Sequence, residues 1–377
     1  MNASNAPSAS ASERTGPLQV MVVDDSFVIR ALLSRALEDQ KELQVATTAM
    51  NGQAAIEELK RRAIDVIVLD IEMPVMDGLT AIPLLLQVDP SVQIIIASTL
   101  THKNAEISMK ALKAGATDYL AKPSTSSEMN SADQFKHDLV AKVKELGALS
   151  RRNRQRRAAM GVVAPQAVVT AAPKKELVLH KNKIYPRPEI ICIGSSTGGP
   201  QALFNVLGGL KGQVRQPIVI TQHMPPTFTN ILAKQITQQT EIPAFEGEEG
   251  MRIESGKIYI APGDFHMLLV RDGVSGPVTI RLDKSEPVNY CRPAVDVMLR
   301  SVMQVYGNRI LSVILTGLGA DGKNACVELF EKGGAVLAQD ETTSVVWGMP
   351  GAAAMAGVCA NVLPISHMAA EIIRMAR

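Results

Sequence analysis

The sequence is dominated by short apolar runs that end in polar residues and are followed by helix-like segments. In the first third of the chain these runs cover residues 18–23, 45–49, 65–69, 94–97 and 119–121. Apolar residues at helical spacing fill several of the intervals, for example residues 29–37, 52–59 and 105–114. Short strands that alternate with helices form parallel sheets with helices on both faces. We therefore expect an α/β fold with a doubly wound parallel sheet in this part of the chain.

Polar residues stand where these predicted strands end. They are Asp24 and Asp25, Asp70, Ser98 and Thr99, and Lys122. Because the carboxyl ends of parallel strands share one edge of the sheet, these side chains should lie together. Crowded carboxylates repel one another and favour a divalent cation, and oxygen ligands suit Mg²⁺. A lysine and a hydroxyl at the same edge suit a phosphoryl group. The set predicts an acyl-phosphate site with an aspartate as the nucleophile.

The motifs at these positions resemble the receiver domain of two-component response regulators. They are Asp24-Asp25, residues 68–74 (VLDIEMP), Asp77-Gly78, Ser98 and Lys122-Pro123. The resemblance implies a flavodoxin-like domain that a sensor histidine kinase phosphorylates on Asp70.

The same resemblance implies roles for the neighbouring residues. Mg²⁺ would be held by Asp25, Asp70 and the carbonyl of Glu72, with Asp24 assisting. Lys122 would contact the phosphoryl group. Ser98 would be the switch hydroxyl, with Thr99 as the alternative, and Tyr119 would be the mobile aromatic of the family.

A second set of features begins with the apolar run 190–193, which ends in six small residues, 194–199 (GSSTGG). A helix-like segment follows, so the small residues lie where a strand turns into a helix. The first backbone amides of a helix have no partner within the helix and can donate hydrogen bonds to a ligand bound there. Residues 194–198 fit the G-x-S-x-G spacing of a nucleophile elbow, with Ser196 at its centre. On its own, this spacing is at least as typical of a glycine turn or a phosphate-binding loop.

Three polar residues follow three apolar strands predicted in the second half of the chain: Ser196, His223 and Asp321. A histidine can accept the serine proton near neutral pH, and a buried aspartate can orient the imidazole. The glycine-rich surroundings of Asp321 would let backbone amides approach an oxyanion. The residues alone leave alternatives open. His266 is a second candidate for the base, and the other candidates for the acid are Asp264, Asp283 and Asp296.

Five motifs in this half resemble the catalytic domain of the chemotaxis methylesterases, the CheB family. They are residues 194–200 (GSSTGGP), 222–226 (QHMPP), 261–263 (APG), 292–296 (RPAVD) and 315–322 (LTGLGADG). The resemblance implies Ser196 as nucleophile, His223 as base and Asp321 as orienting acid, with an oxyanion contact from backbone near Leu318. Ser195 stands where the family often has alanine.

Together the two resemblances cover nearly the whole chain from residue 18. They imply a phosphorylation-activated methylesterase that hydrolyses glutamyl methyl esters on methyl-accepting chemoreceptors, releases methanol and also deamidates receptor glutamines. Esterase chemistry of this kind needs no cofactor. With two sites on one chain, we expect the unphosphorylated receiver to cover the serine edge of the catalytic domain.

The predicted organisation has four parts: a disordered leader (1–17), the receiver domain (18–140), a linker (141–186) and a Rossmann-like α/β catalytic domain (187–377) with β-hairpins over residues 242–282. Phe135, Leu139, Val143 and Leu146 predict an amphipathic helix that packs on the receiver. The arginine cluster at 151–157 is interpreted as part of a solvated linker.

Composition excludes several other classes of protein. A net charge of +2 and a lack of aromatics among the arginines argue against a regulator with a DNA- or RNA-binding output. No apolar run approaches the ~20 residues that span a bilayer, so we expect no membrane insertion. Four scattered cysteines suggest neither zinc nor disulfides, which favours the cytoplasm. An inactive scaffold with the same fold is the remaining alternative.

Overall fold

The structure, a computed structural model, describes residues 16–99, 101–122, 129–161, 177–181, 183–273 and 275–377. Most of the predicted leader (1–15) and part of the predicted linker (162–176) lie outside the described residues. The described chain is organised around two parallel sheets, one in each half. Among the described helices, none combines the length and the hydrophobicity that a bilayer-spanning segment needs.

The first half confirms the predicted doubly wound sheet. Its strands are β1 (Leu18–Val23), β2 (Leu43–Ala49), β3 (Val66–Asp70), β4 (Gln93–Ser98) and β5 (Asp118–Ala121). Its helices are α1 (Phe27–Glu38), α2 (Gly52–Arg61), α3 (Gly78–Val88), α4 (His102–Ala114) and α5 (Met129–Gly161). The strand order is β2-β1-β3-β4-β5, with every pair parallel. Strands buried on both faces explain why the sequence shows continuous apolar runs instead of alternation.

Helix α5 is longer than the predicted amphipathic helix and crosses the predicted boundary at residue 140. Its apolar positions Phe135, Leu139, Val143 and Leu146 are buried in the receiver core, as the sequence predicts. Further along, the guanidinium groups of Arg151 and Arg154 bond to the carboxylate of Asp65 at 3.1 and 2.9 Å. Asp65 is fully buried. The interpretation of the arginine cluster at 151–157 as part of a solvated linker is therefore wrong for Arg151 and Arg154, because these two arginines neutralise a buried charge.

The second half contains a seven-stranded sheet. Its strands are β6 (Ile190–Ser195), β7 (Ile218–Gln222), β8 (Ala244–Glu246), β9 (Ile258–Ile260), β12 (Ile310–Ile314), β13 (Ala335–Gln339) and β14 (Asn361–Leu363). The helices are α6 (Gly199–Leu210), α7 (Phe228–Thr240), α8 (Val295–Tyr306), α9 (Lys323–Glu331), α10 (Met349–Met355) and α11 (Ile365–Ala376). The strand order is β14-β13-β12-β6-β7-β9-β8, all parallel. Strands β6, β7 and β12 are therefore neighbours.

Among the described residues of the segment where the sequence predicts several β-hairpins, the structure has one. It pairs β10 (His266–Arg271) with β11 (Val278–Asp283) in an antiparallel ladder. The earlier runs of that segment, β8 and β9, instead lie parallel to each other at the edge of the large sheet. Short apolar runs separated by glycine turns are compatible with both antiparallel hairpins and parallel edge strands, so the sequence pattern does not distinguish the two.

The two halves pack against each other. The ring of Tyr119, in β5, stacks on the ring of Phe228 with centroids 4.6 Å apart. The side-chain amide of Gln201, in α6, donates to the carbonyl of Leu112 at 3.0 Å. Helix α5 also reaches the second half, where Arg152 lies 3.6 Å from Glu341. The receiver thus contacts the catalytic half close to the predicted serine site.

Candidate active site

Ser196 lies in the turn between β6 and α6. Its backbone amide donates to the carbonyl of Thr316 at 3.0 Å, which ties the turn to the loop after β12. Gly198 has φ 73°, in the left-handed region that favours glycine, and so permits the turn. The side chain of Ser196 is half-buried at the edge of the sheet, where the strand turns into the helix.

His223 is placed beside Ser196 by sheet register. Strands β6 and β7 are parallel neighbours in which Ser195 pairs with Gln222, so the next residues of both strands are Ser196 and His223. The amide of His223 donates to the carbonyl of Ser195 at 3.0 Å. Ring atom Nε2 of His223 lies 2.8 Å from Oδ2 of Asp321.

Asp321 follows β12, the other neighbour of β6. Its carboxylate accepts bonds from the amides of Val295 at 2.6 Å and Asp296 at 3.2 Å, which begin helix α8. The side-chain amide of Asn289 donates to it at 3.2 Å. Burial raises the pKa of Asp321, but His223 and the helix amides lower it more, so the net shift is below the ordinary value. The carboxylate is therefore held ionised in one orientation.

The imidazole of His223 also contacts a thiol that the sequence analysis did not single out. Sγ of Cys291 lies 3.4 Å from Nδ1 of His223. Burial lowers the pKa of His223, but Cys291 and Asp321 outweigh it and raise that pKa to about 10. Both ring nitrogens are thus occupied, and among the described residues no hydrogen bond joins the Ser196 hydroxyl to the ring. Both contacts therefore favour the protonated form of the imidazole.

The alternative base and acids have other partners. His266 is fully buried; its Nδ1 accepts from the amide of Ala294 and its Nε2 donates to the carbonyl of Glu286, both at 3.2 Å. The rival acids are likewise occupied: Asp264 by Arg292, Asp283 by Ser285, and Asp296 by the amide of Ala325. Of the four candidate acids, Asp321 is the one bonded to His223.

Residues of both halves line the cleft at Ser196. The catalytic half contributes Ser196, Thr197, His223, Cys291 and Leu318, and the receiver half contributes Tyr119 together with Phe135, His137, Asp138 and Lys142 of α5. The Tyr119 hydroxyl lies 3.4 Å from the carbonyl of His223. Oδ2 of Asp118 accepts from the hydroxyl of Thr197 at 2.7 Å and from Lys142 at 2.6 Å. The receiver therefore forms one wall of this cleft.

The predicted phosphorylation residues meet at the edge of the first sheet. Carboxylate oxygens of Asp24, Asp25 and Asp70 lie within 4.8 Å of one another. Nζ of Lys122 is 2.7 Å from both Asp24 and Asp70. Burial is the main reason that the pKa of Asp70 is raised, and the charge of Asp24 adds to it, while Lys122 opposes both. Three oxygen ligands and one ammonium group thus surround the end of β3.

The remaining receiver residues have separate places. Ser98 is buried at the end of β4, and its hydroxyl lies 3.5 Å from the carbonyl of Thr99. The hydroxyl of Thr99 accepts from the side-chain amide of Asn104 at 2.7 Å. The carboxylate of Glu72 pairs with Lys103 at 2.7 Å and is exposed, so this side chain does not belong to the carboxylate cluster. That leaves the Glu72 carbonyl as the group which the resemblance would assign to Mg²⁺.

Known proteins share both halves of this arrangement. The CheB methylesterase family model matches residues 191–372, and the response regulator receiver domain model matches residues 20–133. The protein-glutamate methylesterase/protein-glutamine glutaminase of group 2 operon from Rhodospirillum centenum is 52% identical, over 96% of this chain and 94% of its own length. The protein-glutamate methylesterase/protein-glutamine glutaminase from Azospirillum brasilense is 51% identical, over 98% and 97%. The solved CheB methylesterase catalytic domain of Thermotoga maritima is 40% identical, covers 50% of this chain and 98% of that chain, and gives a TM-score of 0.48.

Proposed function

This chain belongs to the CheB methylesterase family, with a response regulator receiver domain at its N-terminus, and we propose that Ser196, His223 and Asp321 carry out its hydrolytic reaction. The reaction is hydrolysis of glutamyl methyl esters on a protein substrate. The same site would deamidate glutamines, because esters and amides pass through similar tetrahedral intermediates. The observation that carries the assignment is the 2.8 Å contact between His223 and Asp321 beside the strand that ends at the serine.

In the proposed mechanism the hydroxyl of Ser196 attacks the ester carbonyl while His223, unprotonated in the active form, accepts the proton. The protonated imidazole then gives the proton to the leaving methanol, and Asp321 stabilises the positive charge. Water repeats the two steps to release the glutamate side chain. In deamidation, ammonia leaves in place of methanol.

The developing oxyanion would be held by backbone near Leu318. Leu318 lines the same cleft as Ser196. The preceding residue, Gly317, lies so close that a Cβ there would be 2.9 Å from Cβ of Ser196. The buried side chain of Gln339 fixes the start of this loop, because its Oε1 accepts a hydrogen bond from the amide of Thr316 at 2.8 Å. We propose that the backbone of this loop at Leu318, held close to Ser196 in this way, stabilises the oxyanion.

For the receiver we propose phosphorylation of Asp70 by a sensor histidine kinase. The cluster of Asp24, Asp25 and Asp70 provides the hard oxygen ligands that Mg²⁺ prefers, and the Glu72 carbonyl would complete the set. Bound Mg²⁺ would neutralise charge on the phosphoryl group. Lys122, already within 2.7 Å of Asp70, would contact the phosphoryl oxygens. Ser98 would supply the switch hydroxyl.

Regulation would act through the receiver wall of the cleft. A methylated side chain on a folded protein must approach Ser196 past Tyr119 and α5, which line the cleft from the receiver side. We propose that phosphorylation of Asp70 shifts the population towards forms in which this wall has moved away. The protein substrates we propose are methyl-accepting chemoreceptors, whose glutamyl esters are set and reset during chemotactic adaptation. The four free cysteines fit a reducing, cytoplasmic setting.

The proposal is tested by methanol release from methylated chemoreceptor, with and without a small-molecule phosphodonor. Wild type should be stimulated by the phosphodonor, and Asp70→Ala should not. His223→Ala should lose turnover in both conditions, whereas His367→Ala, an exposed histidine on α11, should match wild type. Turnover that survives Ser196→Ala would remove the serine mechanism.

A further inference from the structure

The last residues of β6 and β7, Ser195 and Gln222, form a buried pair beside the proposed catalytic residues. Both side chains are buried, with 0% and 1% exposure. They are register partners in the parallel ladder, immediately before Ser196 and His223. We propose that Gln222 is a positioning residue for the hydrolytic reaction and that Ser195 fixes the orientation of its amide. The inference rests on the proposed function of Ser196 and His223.

One side-chain amide contacts the backbone of both the nucleophile and the base. Nε2 of Gln222 donates to the carbonyl of Ser196 at 2.9 Å and to the carbonyl of His223 at 3.3 Å. Its Oε1 accepts from the hydroxyl of Ser195 at 2.7 Å. The distance between the two strand ends is thus set by Gln222 as well as by the ladder itself.

The three contacts allow only one orientation of the amide. Backbone carbonyls only accept hydrogen bonds, so the NH₂ group must face Ser196 and His223. The amide oxygen is then left facing Ser195, whose hydroxyl must donate. A rotated amide would set its oxygen against two carbonyl oxygens in a buried site, where unsatisfied polar groups are costly. Alanine at position 195 would leave the Gln222 oxygen without this donor.

Packing encloses the same amide. A Cβ at position 199 would lie 1.9 Å from Oε1 of Gln222, so the glycine that begins α6 leaves room for the side chain. The amide of Gly199 also donates to the carbonyl of Ser196 at 2.7 Å, so that carbonyl receives two hydrogen bonds. Because Gln222 is buried, it would influence the chemical step by positioning Ser196 and His223, without contacting a bound protein substrate.

The test uses the full-length protein with phosphodonor and compares Gln222→Glu, Gln222→Met and Ser195→Ala in steady-state methyl ester hydrolysis. We expect kcat for Gln222→Met to fall about tenfold or more while KM changes less than about twofold, the pattern of a group that acts on the transition state only. Ser195→Ala should show a smaller fall of the same kind. Ser196→Ala measures the proposed function separately, since it should abolish turnover whatever the role of Gln222.

The pH profile distinguishes positioning from general stability. A neutral carboxylic acid can donate one hydrogen bond as the amide does, whereas a carboxylate cannot. The rate of Gln222→Glu relative to wild type should therefore recover as the pH is lowered. The matched control is Gln216→Glu, because Gln216 also donates to two backbone carbonyls, of Pro188 and Ala376, but these lie outside the cleft. Its relative rate should not depend on pH.

Labelling of Ser196 with a fluorophosphonate gives a readout that does not depend on substrate binding. Folded Gln222 variants should react completely but more slowly than wild type. The proposal is overturned if folded Gln222→Met keeps the wild-type kcat and labelling rate. It is also overturned if the loss of rate follows only the loss of folded protein, or if Gln222→Glu and Gln216→Glu show the same pH dependence.

Discussion

At the scale of single residues, His223 is held between a carboxylate on one ring nitrogen and a thiol on the other. A general base must be unprotonated when the substrate is bound, and here the two neighbours stabilise the protonated form. The raised pKa of His223 therefore opposes its action as a general base in this arrangement of neighbours. Of the two neighbours, Cys291 can be replaced without removing the contact between His223 and Asp321.

Replacing Cys291 by alanine should lower the pKa of His223, because one group that raises it is lost. The imidazole would then be unprotonated at lower pH, and the acid limb of kcat/KM should move to lower pH. Each unit of such a shift increases the unprotonated fraction at neutral pH by about tenfold. The measurement is the pH dependence of kcat/KM with phosphodonor present. Cys291→Ser keeps a hydrogen-bonding group but loses the ionisable thiol, so comparing it with Cys291→Ala separates the hydrogen bond from the charge. An unchanged acid limb in Cys291→Ala would contradict the role given to the thiol.

Replacing Asp321 by asparagine should reduce kcat by roughly 10³- to 10⁴-fold, the size of effect known for the orienting acid of other serine triads. The variant should also lose about 1 kcal/mol of stability, because the amides of Val295 and Asp296 bond to different carboxylate oxygens and asparagine keeps only one accepting oxygen. Asp264→Asn is the control, since its pair with Arg292 is partly exposed and contributes little. Single-turnover rates and urea unfolding measure the two effects. Equal losses of kcat in both variants would remove the special role of Asp321.

At the scale of elements, α5 is attached to the receiver by an apolar stripe along its first part and by arginines along its last part. The guanidinium of Arg154 contacts both Asp65, at 2.9 Å, and Asp89, at 2.8 Å. The buried carboxylate of Asp65 also accepts from the backbone amide of Gln19 at 3.0 Å. The end of α5 is therefore fixed to the start of the receiver sheet.

Arg154→Ala should destabilise the receiver by about 1–3 kcal/mol, because it removes one of the cations that compensate a buried carboxylate. The partial exposure of Arg154 keeps the effect below that of a fully buried pair. Arg156→Ala, an exposed position two residues further along α5, should change stability by less than about 0.5 kcal/mol. Urea unfolding gives the energies, and amide exchange should show faster opening at the end of α5 in the first variant only. Equal energies in the two variants would contradict this account.

Elements that follow simple periodic rules could be predicted from the sequence. Continuous apolar runs form the receiver strands and also β6, β7 and β12. Because the carboxyl ends of parallel strands share one edge of a sheet, Ser196, His223 and Asp321 could be predicted to lie together without knowing the path of the loops. Helix α3 was not predicted, because it is apolar on most sides and contains Pro83. The end of α5 was misjudged because its stabilising partners are far away in sequence. Cys291 and Asn289 lie on a loop whose path no local pattern encodes.

At the scale of the whole molecule, the receiver and the catalytic half meet at an interface that includes an aromatic stack. Tyr119 is buried there, stacked on Phe228, with its hydroxyl near the His223 backbone. A second contact joins Asp118 to Thr197, next to the proposed nucleophile Ser196. Both contacts come from β5, the strand that precedes Lys122, which we propose contacts the phosphoryl group.

Tyr119→Ala should raise the rate of receptor demethylation in the absence of phosphodonor. The stack contributes about 0.5–1.5 kcal/mol, so its loss should increase the open population by about 2- to 10-fold. Tyr306→Phe, on α8 away from the interface, should leave the basal rate unchanged. The readout is methanol release from methylated receptor without phosphodonor. A basal rate equal to that of wild type would show that the stack does not hold the resting form.

A cleft with a wall on a second domain distinguishes substrates by their size. We expect a small soluble ester to reach Ser196 more readily than a glutamyl ester carried on a folded protein, because the receiver wall obstructs the larger substrate. The ratio of the turnover rate on the protein ester to that on the small ester would then report the population in which the receiver wall has moved away. The reactivity of the serine affects both rates and cancels from the ratio. Measured at increasing phosphodonor concentration, this ratio should rise with the extent of receiver phosphorylation.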